Sequence, residues 1–171
     1  MKAIIIGAVE STRVAMKVTS SAPGWSVAAL VTLPPRLAAR HSDFQDLTGD
    51  AERAGASVIH AANSNSPDVI DTVRNIGPDI VFVIGWSQVC KSDFLKAVGG
   101  RAIGYHPTPL PQMRGRAAIP WTILLGRTIT GATLFWLDEG IDTGLILAQR
   151  FFHVAYDETA TTLYQRHLRV L

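Results

Sequence analysis

A single cysteine, Cys90, stands among the 171 residues, so no intrachain disulfide can form and packing alone has to hold the fold. That scarcity suits a reducing compartment, and a cytoplasmic protein is the expectation. No stretch approaches the roughly 18 consecutive apolar residues of a membrane span. The first apolar run, Ala3 to Ile6, is too short for the h-region of a signal peptide and reads as a strand. Neither sign of charge dominates: 16 Lys and Arg stand against 14 Asp and Glu, a formal net charge of +2 without a basic block. Charge therefore makes no case for nucleic acid as a partner. The turn after the first strand, Gly7-Ala8-Val9-Glu10-Ser11, lacks the G-x-G-x-x-G pattern, which weakens a dinucleotide site, although Gly7 still offers an approach to a phosphate of a substrate. No G-x-S-x-G elbow for a serine hydrolase occurs. His41, His60, His153 and His167 show no ligand spacing, which argues against zinc or any other metal.

What is present describes an ordinary globular chain, 47% apolar and 18% charged, and its length suits one domain, residues 1–171. Short β-branched or apolar runs at 3–6, 25–32, 57–60, 79–85 and 102–105 read as strands. Helical patterns fall between them at 10–20, 47–55, 67–75 and 92–98, with an irregular stretch from Pro34 to about Asp46. Ser66 stands in the N-cap position before Pro67, and Gly77-Pro78 breaks the chain after that helix. Past Pro111 the pattern changes: a helix at 117–125 ends at Gly126, two longer strands at 130–137 and 145–154 flank a tight turn, and a last helix covers 159–170. Strands joined by so short a loop pair antiparallel. The fold class expected is α/β: a Rossmann-like, mainly parallel twisted sheet with helices on both faces and antiparallel strands towards the C-terminal end. The last helical pattern reaches Leu171 without a stop signal, so a natural end and a longer natural chain both fit.

Two residues point to chemistry. His106 follows an apolar strand and opens a loop stiffened by Pro107, Pro109 and Pro111. Asp142 lies in the glycine-bounded turn Asp138-Glu139-Gly140-Ile141-Asp142-Thr143-Gly144. A histidine and a carboxylate on neighbouring loops are the ingredients of proton transfer, although Asp142 is also a residue type that caps turns.

The segment from Tyr105 to Gln149 carries a resemblance. His106-Pro107-Thr108-Pro109-Leu110-Pro111, then Arg114-Gly115, Trp121 and Gly126, then the 138–144 turn, together with Asp157-Glu158-Thr159-Ala160-Thr161-Thr162-Leu163-Tyr164, resemble the folate-dependent formyltransferases. That family includes glycinamide ribonucleotide, methionyl-tRNA and nucleotide-sugar formyltransferases. The resemblance implies 10-formyltetrahydrofolate as formyl donor and a small-molecule amine as acceptor. It implies that His106 and Asp142 match the family's catalytic His and Asp, and that the family's Asn, two residues before the His, is replaced by Gly104. In the chemistry implied, an amine attacks the formyl carbon and negative charge develops on oxygen. A pre-positioned donor for that oxygen contributes about 3–4 kcal/mol. His106 is the donor expected, and Asp142 takes the amine's proton and orients His106. The resemblance further places Trp86, Ser87, Gln88 and Val89, which follow the strongest strand, and the backbone of Asp138, Glu139 and Gly140 around the folate.

On the acceptor side Gly7, Thr108 and Arg114 are candidates, with Arg116 as a further anchor for a phosphate or carboxylate. Several of these residues have plainer readings as well. Trp86 can cap the core, Arg114 and Arg116 can be solvated, and Trp121 and Trp136 read as core. The run Arg114-Gly115-Arg116-Ala117, with Trp121 and 130–134, favours an amino sugar carried on a nucleotide as acceptor. A formyl or acyl hydrolase in the same pocket, and a catalytically impaired folate- or nucleotide-binding module, are the alternatives. If the site is a weakened transferase, Gly104→Asn should raise its rate. A homodimer remains open.

Overall fold

The computed structural model describes all residues from Met1 to Leu171. Strands β1 (Lys2–Ile6), β2 (Ser26–Thr32), β3 (Ser57–His60), β4 (Ile80–Val83) and β5 (Ala102–His106) alternate with helices α1 (Glu10–Ser21), α2 (Thr48–Arg53), α3 (Pro67–Ile76) and α4 (Ser92–Ala97). Helix α5 (Ala118–Leu124), strands β6 (Ile129–Trp136) and β7 (Ile146–His153) and helix α6 (Ala160–Val170) follow. The seven strands lie in one sheet in the order β3-β2-β1-β4-β5-β6-β7. Neighbours from β3 to β5 are parallel, whereas β6 runs antiparallel to both β5 and β7. This is the α/β arrangement expected, and nearly every strand and helix lies where its periodicity places it.

The central strands are covered on both faces, as their continuous apolar runs require. One core cluster packs Ile4, Ile6, Val31, Val81 and Val83 against α3 and α4 through Val69, Val73 and Phe94. The other face carries Ile5, Leu30, Met16 and Leu47 beneath α1 and α2. Cys90 is 4% exposed, and burial pushes its thiol up to about 12, so it is an inert core group rather than a nucleophile. No helix is long and apolar enough to cross a membrane.

Four local readings are corrected. The β4 run is shorter than the sequence pattern, because the Asp79 carboxylate accepts from the Lys2 backbone N–H at 2.6 Å and Gly85 turns the chain with φ +74°. The stretch after Pro34 contains a 3-10 helix, Pro35–Arg40, which Pro34 and Pro35 preset. Ser66 does occupy the position before α3, but its hydroxyl donates to the Asn63 carbonyl instead of capping the helix. Trp121 is not core: it is 52% exposed, beside Leu124 and Leu125 on the outer side of α5.

The carboxyl ends of β1 and β4 approach each other as closely as backbone allows. A Cβ at Gly7 would stand 2.0 Å from the Ile84 carbonyl oxygen, and one at Gly85 would stand 2.2 Å from the Val9 side chain. Thr12, fully buried, ties the two together: its hydroxyl donates to the Ile84 carbonyl at 2.7 Å and accepts from the Val9 N–H at 3.2 Å. Above this junction the sheet opens into the site.

Candidate functional site

A cavity of about 830 Å³ opens above β1, β4 and β5. Its walls come from the start of α1, the segment 41–45, Gly85 to Ser87, Tyr105 to Pro107, the loop entering α5, and one side of α6. Open α/β sheets bind ligands at the carboxyl ends of their strands, and this cavity occupies that position.

His106 closes β5 and is 6% exposed. Its Nε2–H donates to the Met113 carbonyl oxygen at 2.8 Å, since a carbonyl can only accept. Nδ1 then faces the Asp142 Oδ2 at 3.6 Å, the geometry of an ion pair when the ring carries two protons. Asp142 adopts φ +53°, a left-handed conformation that Asp and Asn tolerate better than most residues. The same Oδ2 accepts from the Gly115 N–H at 2.8 Å. One carboxylate oxygen thus joins the 138–144 turn to the loop that pins the histidine. The two loops are brought together as the sequence reading requires. In this arrangement, however, both ring nitrogens of His106 are turned to groups of the chain itself.

The loop after His106 is fixed from below. Thr108 is fully buried; its hydroxyl donates to the Gln112 carbonyl and its carbonyl accepts from the Thr133 hydroxyl at 2.7 Å. Gln149 Nε2 donates to both the Leu110 carbonyl and the Thr133 hydroxyl. Thr108 therefore clamps the loop onto β6 and β7 and presents nothing to the cavity. Arg114 is exposed outside the cavity wall, while Arg116 lines it. Gly7 does not reach the cavity: its N–H donates to the Val31 carbonyl, and its α-carbon is enclosed by Ile84 and Thr12.

The residues assigned to the folate divide. Trp86 and Ser87 line the cavity. Trp86 also packs on the core and donates from Nε1 to the Ser64 hydroxyl at 3.1 Å. Gln88 turns away, donating to the Ala62 carbonyl at 2.7 Å, and the Val89 carbonyl accepts from Asn65. Asp138, Glu139 and Gly140 are exposed and outside the cavity wall. The Asp138 carboxylate is occupied by its own turn, accepting from the Gly140 N–H and the Thr143 hydroxyl.

Gly104 pairs with Phe135 across β5 and β6. A Cβ there would stand 2.7 Å from Leu137 Cδ2 and 2.9 Å from Phe135 Cζ. The space that a longer side chain would need is filled by two apolar groups. Gly104→Asn is thus expected to lower the melting temperature and leave the rate no higher, contrary to the gain expected from sequence. Overpacking of this kind costs about 1–3 kcal/mol. A calorimetric scan together with an activity assay checks this, and Leu137→Ala in the same chain should recover part of the loss.

The wall residues not singled out from sequence as site residues include His41, Asp43, Tyr164 and His167. Asp43 Oδ2 accepts from the Glu10 N–H at 3.1 Å and from the Tyr164 hydroxyl at 2.5 Å, and that hydroxyl accepts from the Ser11 N–H at 3.2 Å. Burial, then the Asp43 carboxylate, raises the Tyr164 phenol above its ordinary range. His41 contacts the Ser87 hydroxyl at 3.3 Å, and burial followed by the charge of Arg116 lowers its pKa. His167 is 1% exposed; its Nδ1 meets the Tyr105 hydroxyl at 3.0 Å, its ring stands edge-on to Phe152, and its Nε2 has no partner. Only Tyr164 had a signal, its place in the 157–164 segment. Asp43 sits in irregular chain with no periodicity to mark it.

Burial, and then the charges of Arg166 and His106, pull His167 down from 6.5 to about 4. A histidine with a folded pKa below its unfolded value binds fewer protons folded than unfolded, so stability falls as pH drops through that window. The melting temperature is expected to decline between pH 6.5 and 4, and to decline less steeply in His167→Phe. Parallel slopes for the two proteins would remove His167 as a source of the acid sensitivity.

A family model described as formyl transferase matches residues 1–170. The chain is 32% identical over 145 residues to a methionyl-tRNA formyltransferase of Geobacter metallireducens, covering 84% of this chain and 47% of that protein. It is 35% identical over 124 residues to the cytosolic 10-formyltetrahydrofolate dehydrogenase of Homo sapiens, covering 70% of this chain and 14% of the other. The chain thus spans about half or less of the length of these curated relatives. Among solved structures, the phosphoribosylglycinamide formyltransferase of Bacillus halodurans superposes with a TM-score of 0.83 at 23% identity, over 99% of this chain and 89% of that one. A sugar 3N-formyl transferase crystallised in the presence of dTDP and 5-N-formyl-THF gives 0.76 at 20%, over 99% and 58%. With a family model matched along nearly its whole length, the chain belongs to the formyl transferase family.

Proposed function

We propose that this chain is an N-formyltransferase domain that moves a formyl group from 10-formyltetrahydrofolate to an amine, the acceptor being an amino sugar carried on a nucleotide. The observation that carries the reading is the meeting of His106 and Asp142 at the mouth of β5, in a chain of this family. The cavity's size lies within the range of sites for ligands of this kind. Trp86 gives it an apolar wall, and Ser87 and His41 supply polar groups. Trp86 and Ser87 would hold the donor. The donor supplies the formyl group and takes no other part.

The acceptor nitrogen forms a bond to the formyl carbon, and the carbonyl electron pair moves onto oxygen. The amine proton passes towards Asp142. When the carbonyl re-forms, the bond to the folate nitrogen breaks and that nitrogen takes the proton that left the amine. His106 serves the oxyanion once its N–H leaves the Met113 carbonyl, and Asp142, opposite Nδ1, orients the ring. Breaking that hydrogen bond is a reorganisation that a donor already aimed at the oxyanion would not need.

Purified protein incubated with 10-formyltetrahydrofolate, with and without a panel of nucleotide-linked amino sugars, tests the reading. Tetrahydrofolate released only with an amine, and a formylated product in the mass spectrum, is the result expected. Release without an amine would favour the formyl hydrolase, a reading to which Gly104 lends weight by offering no side-chain donor of its own. Binding without turnover would favour an impaired module, the reading suggested by the hold of Met113 on His106.

A further inference from the structure

The N-terminus of a helix that follows the first strand of a parallel sheet is a ready place for a phosphate, because its N–H groups are free and its dipole is positive. Here none is free. From Gly7 to Thr12 every backbone N–H has a partner within the chain. Gly7 donates to the Val31 carbonyl, Ala8 to the Gly85 carbonyl and Thr12 to the Val9 carbonyl. Val9 donates to the Thr12 hydroxyl. Glu10 and Ser11, the two whose N–H groups an anion would use, donate to Asp43 and to the Tyr164 hydroxyl.

The group at this helix end is itself an anion. Asp43 uses Oδ2 for both of its contacts, while Oδ1 has no partner in the chain, and the residue lines the cavity. Glu10, also on the wall, adds a second carboxylate, paired with Arg13. The only arginine or lysine on the wall is Arg116, on the loop entering α5. The cavity wall therefore carries two carboxylates and a single guanidinium.

We propose that Asp43 is a specificity-determining residue for the acceptor: its carboxylate, locked at the start of α1, excludes a phosphate from that helix end and offers Oδ1 to a neutral hydroxyl or amine donor of the acceptor instead. An acceptor with a phosphate of its own must then direct it towards Arg116. The inference deepens the transferase reading and rests on it for the word acceptor, but the exclusion itself is a matter of binding. Two charges of like sign at contact distance repel, and in a partly buried site little salt screens them.

The test is a titration of ribose 5-phosphate, followed by the backbone amide shifts of Glu10 and Ser11, into the natural chain, Asp43→Asn and Asp43→Ala. Asn keeps an acceptor for the Glu10 N–H and the Tyr164 hydroxyl while removing the charge, so it separates exclusion from loss of fold. The natural chain is expected to bind at least about tenfold more weakly than one or both variants, a difference of about 1.4 kcal/mol. Equal affinity in all three, with the same two amides moving, would overturn the proposal. If no amine drew tetrahydrofolate from the donor, the transferase reading would fall while this comparison kept its meaning.

Discussion

On the proposed transferase reading, His106→Ala is expected to lower the rate of formyl transfer by at least about a hundredfold, the scale on which acid–base and oxyanion contributions are lost. Asp142→Asn is expected to have an effect of similar size, and the double variant to be hardly slower than either single one, because in the proposed reaction the two facing residues act as one unit. Asn is the informative replacement at 142. It tolerates φ +53° and still accepts from the Gly115 N–H, so the loop stays in place while the charge opposite Nδ1 disappears. Steady-state rates on variants of unchanged melting temperature are the measurement. A variant with near-full activity would remove its residue from the mechanism, and fully additive losses would separate the two residues.

Gly7→Ala destabilises the chain by more than about 3 kcal/mol, and the melting temperature falls by about 6–12 °C. The new methyl would meet the Ile84 carbonyl oxygen at 2.0 Å and the Thr12 hydroxyl at 2.2 Å. Thr12 can turn, but Ile84 is backbone held in the Ile6–Ile84 hydrogen bond and cannot withdraw without parting β1 from β4. Calorimetry checks this against Gly24→Ala, where a Cβ has nothing within 4 Å and only the positive φ opposes it. A Gly7→Ala chain that melts within about a degree of the natural one would show that the junction gives way easily.

The order of strands and helices was legible because the burial behind it is periodic. Ile80 to Val83 is covered on both faces and reads as one unbroken apolar run, and α3 displays Val69, Ile70 and Val73 at helical spacing. His106 and Asp142 were legible for a different reason, as part of motifs that a known family shares. Periodicity alone misled at Trp121, where a run of apolar residues marks a helix but not which side of it is covered. The wall around Asp43 escaped notice because its contacts join residues 33 and 121 apart, and no local pattern in an irregular segment reports such partners. Thr108 and Gly7 were assigned to a substrate from their position in the chain, and the structure gives both to packing. Whether a loop residue faces ligand or scaffold depends on hydrogen bonds made from distant strands, here those of Thr133 and Gln149.

Helix α6 gives the molecule a schedule. Residues 160–170 leave the ribosome after β1 to β5, which are by then able to pair as their parallel neighbours arrive. Until then Ser11 lacks the Tyr164 hydroxyl and Tyr105 lacks His167. Before α6 docks, the nascent chain is therefore a sheet without a finished binding chamber.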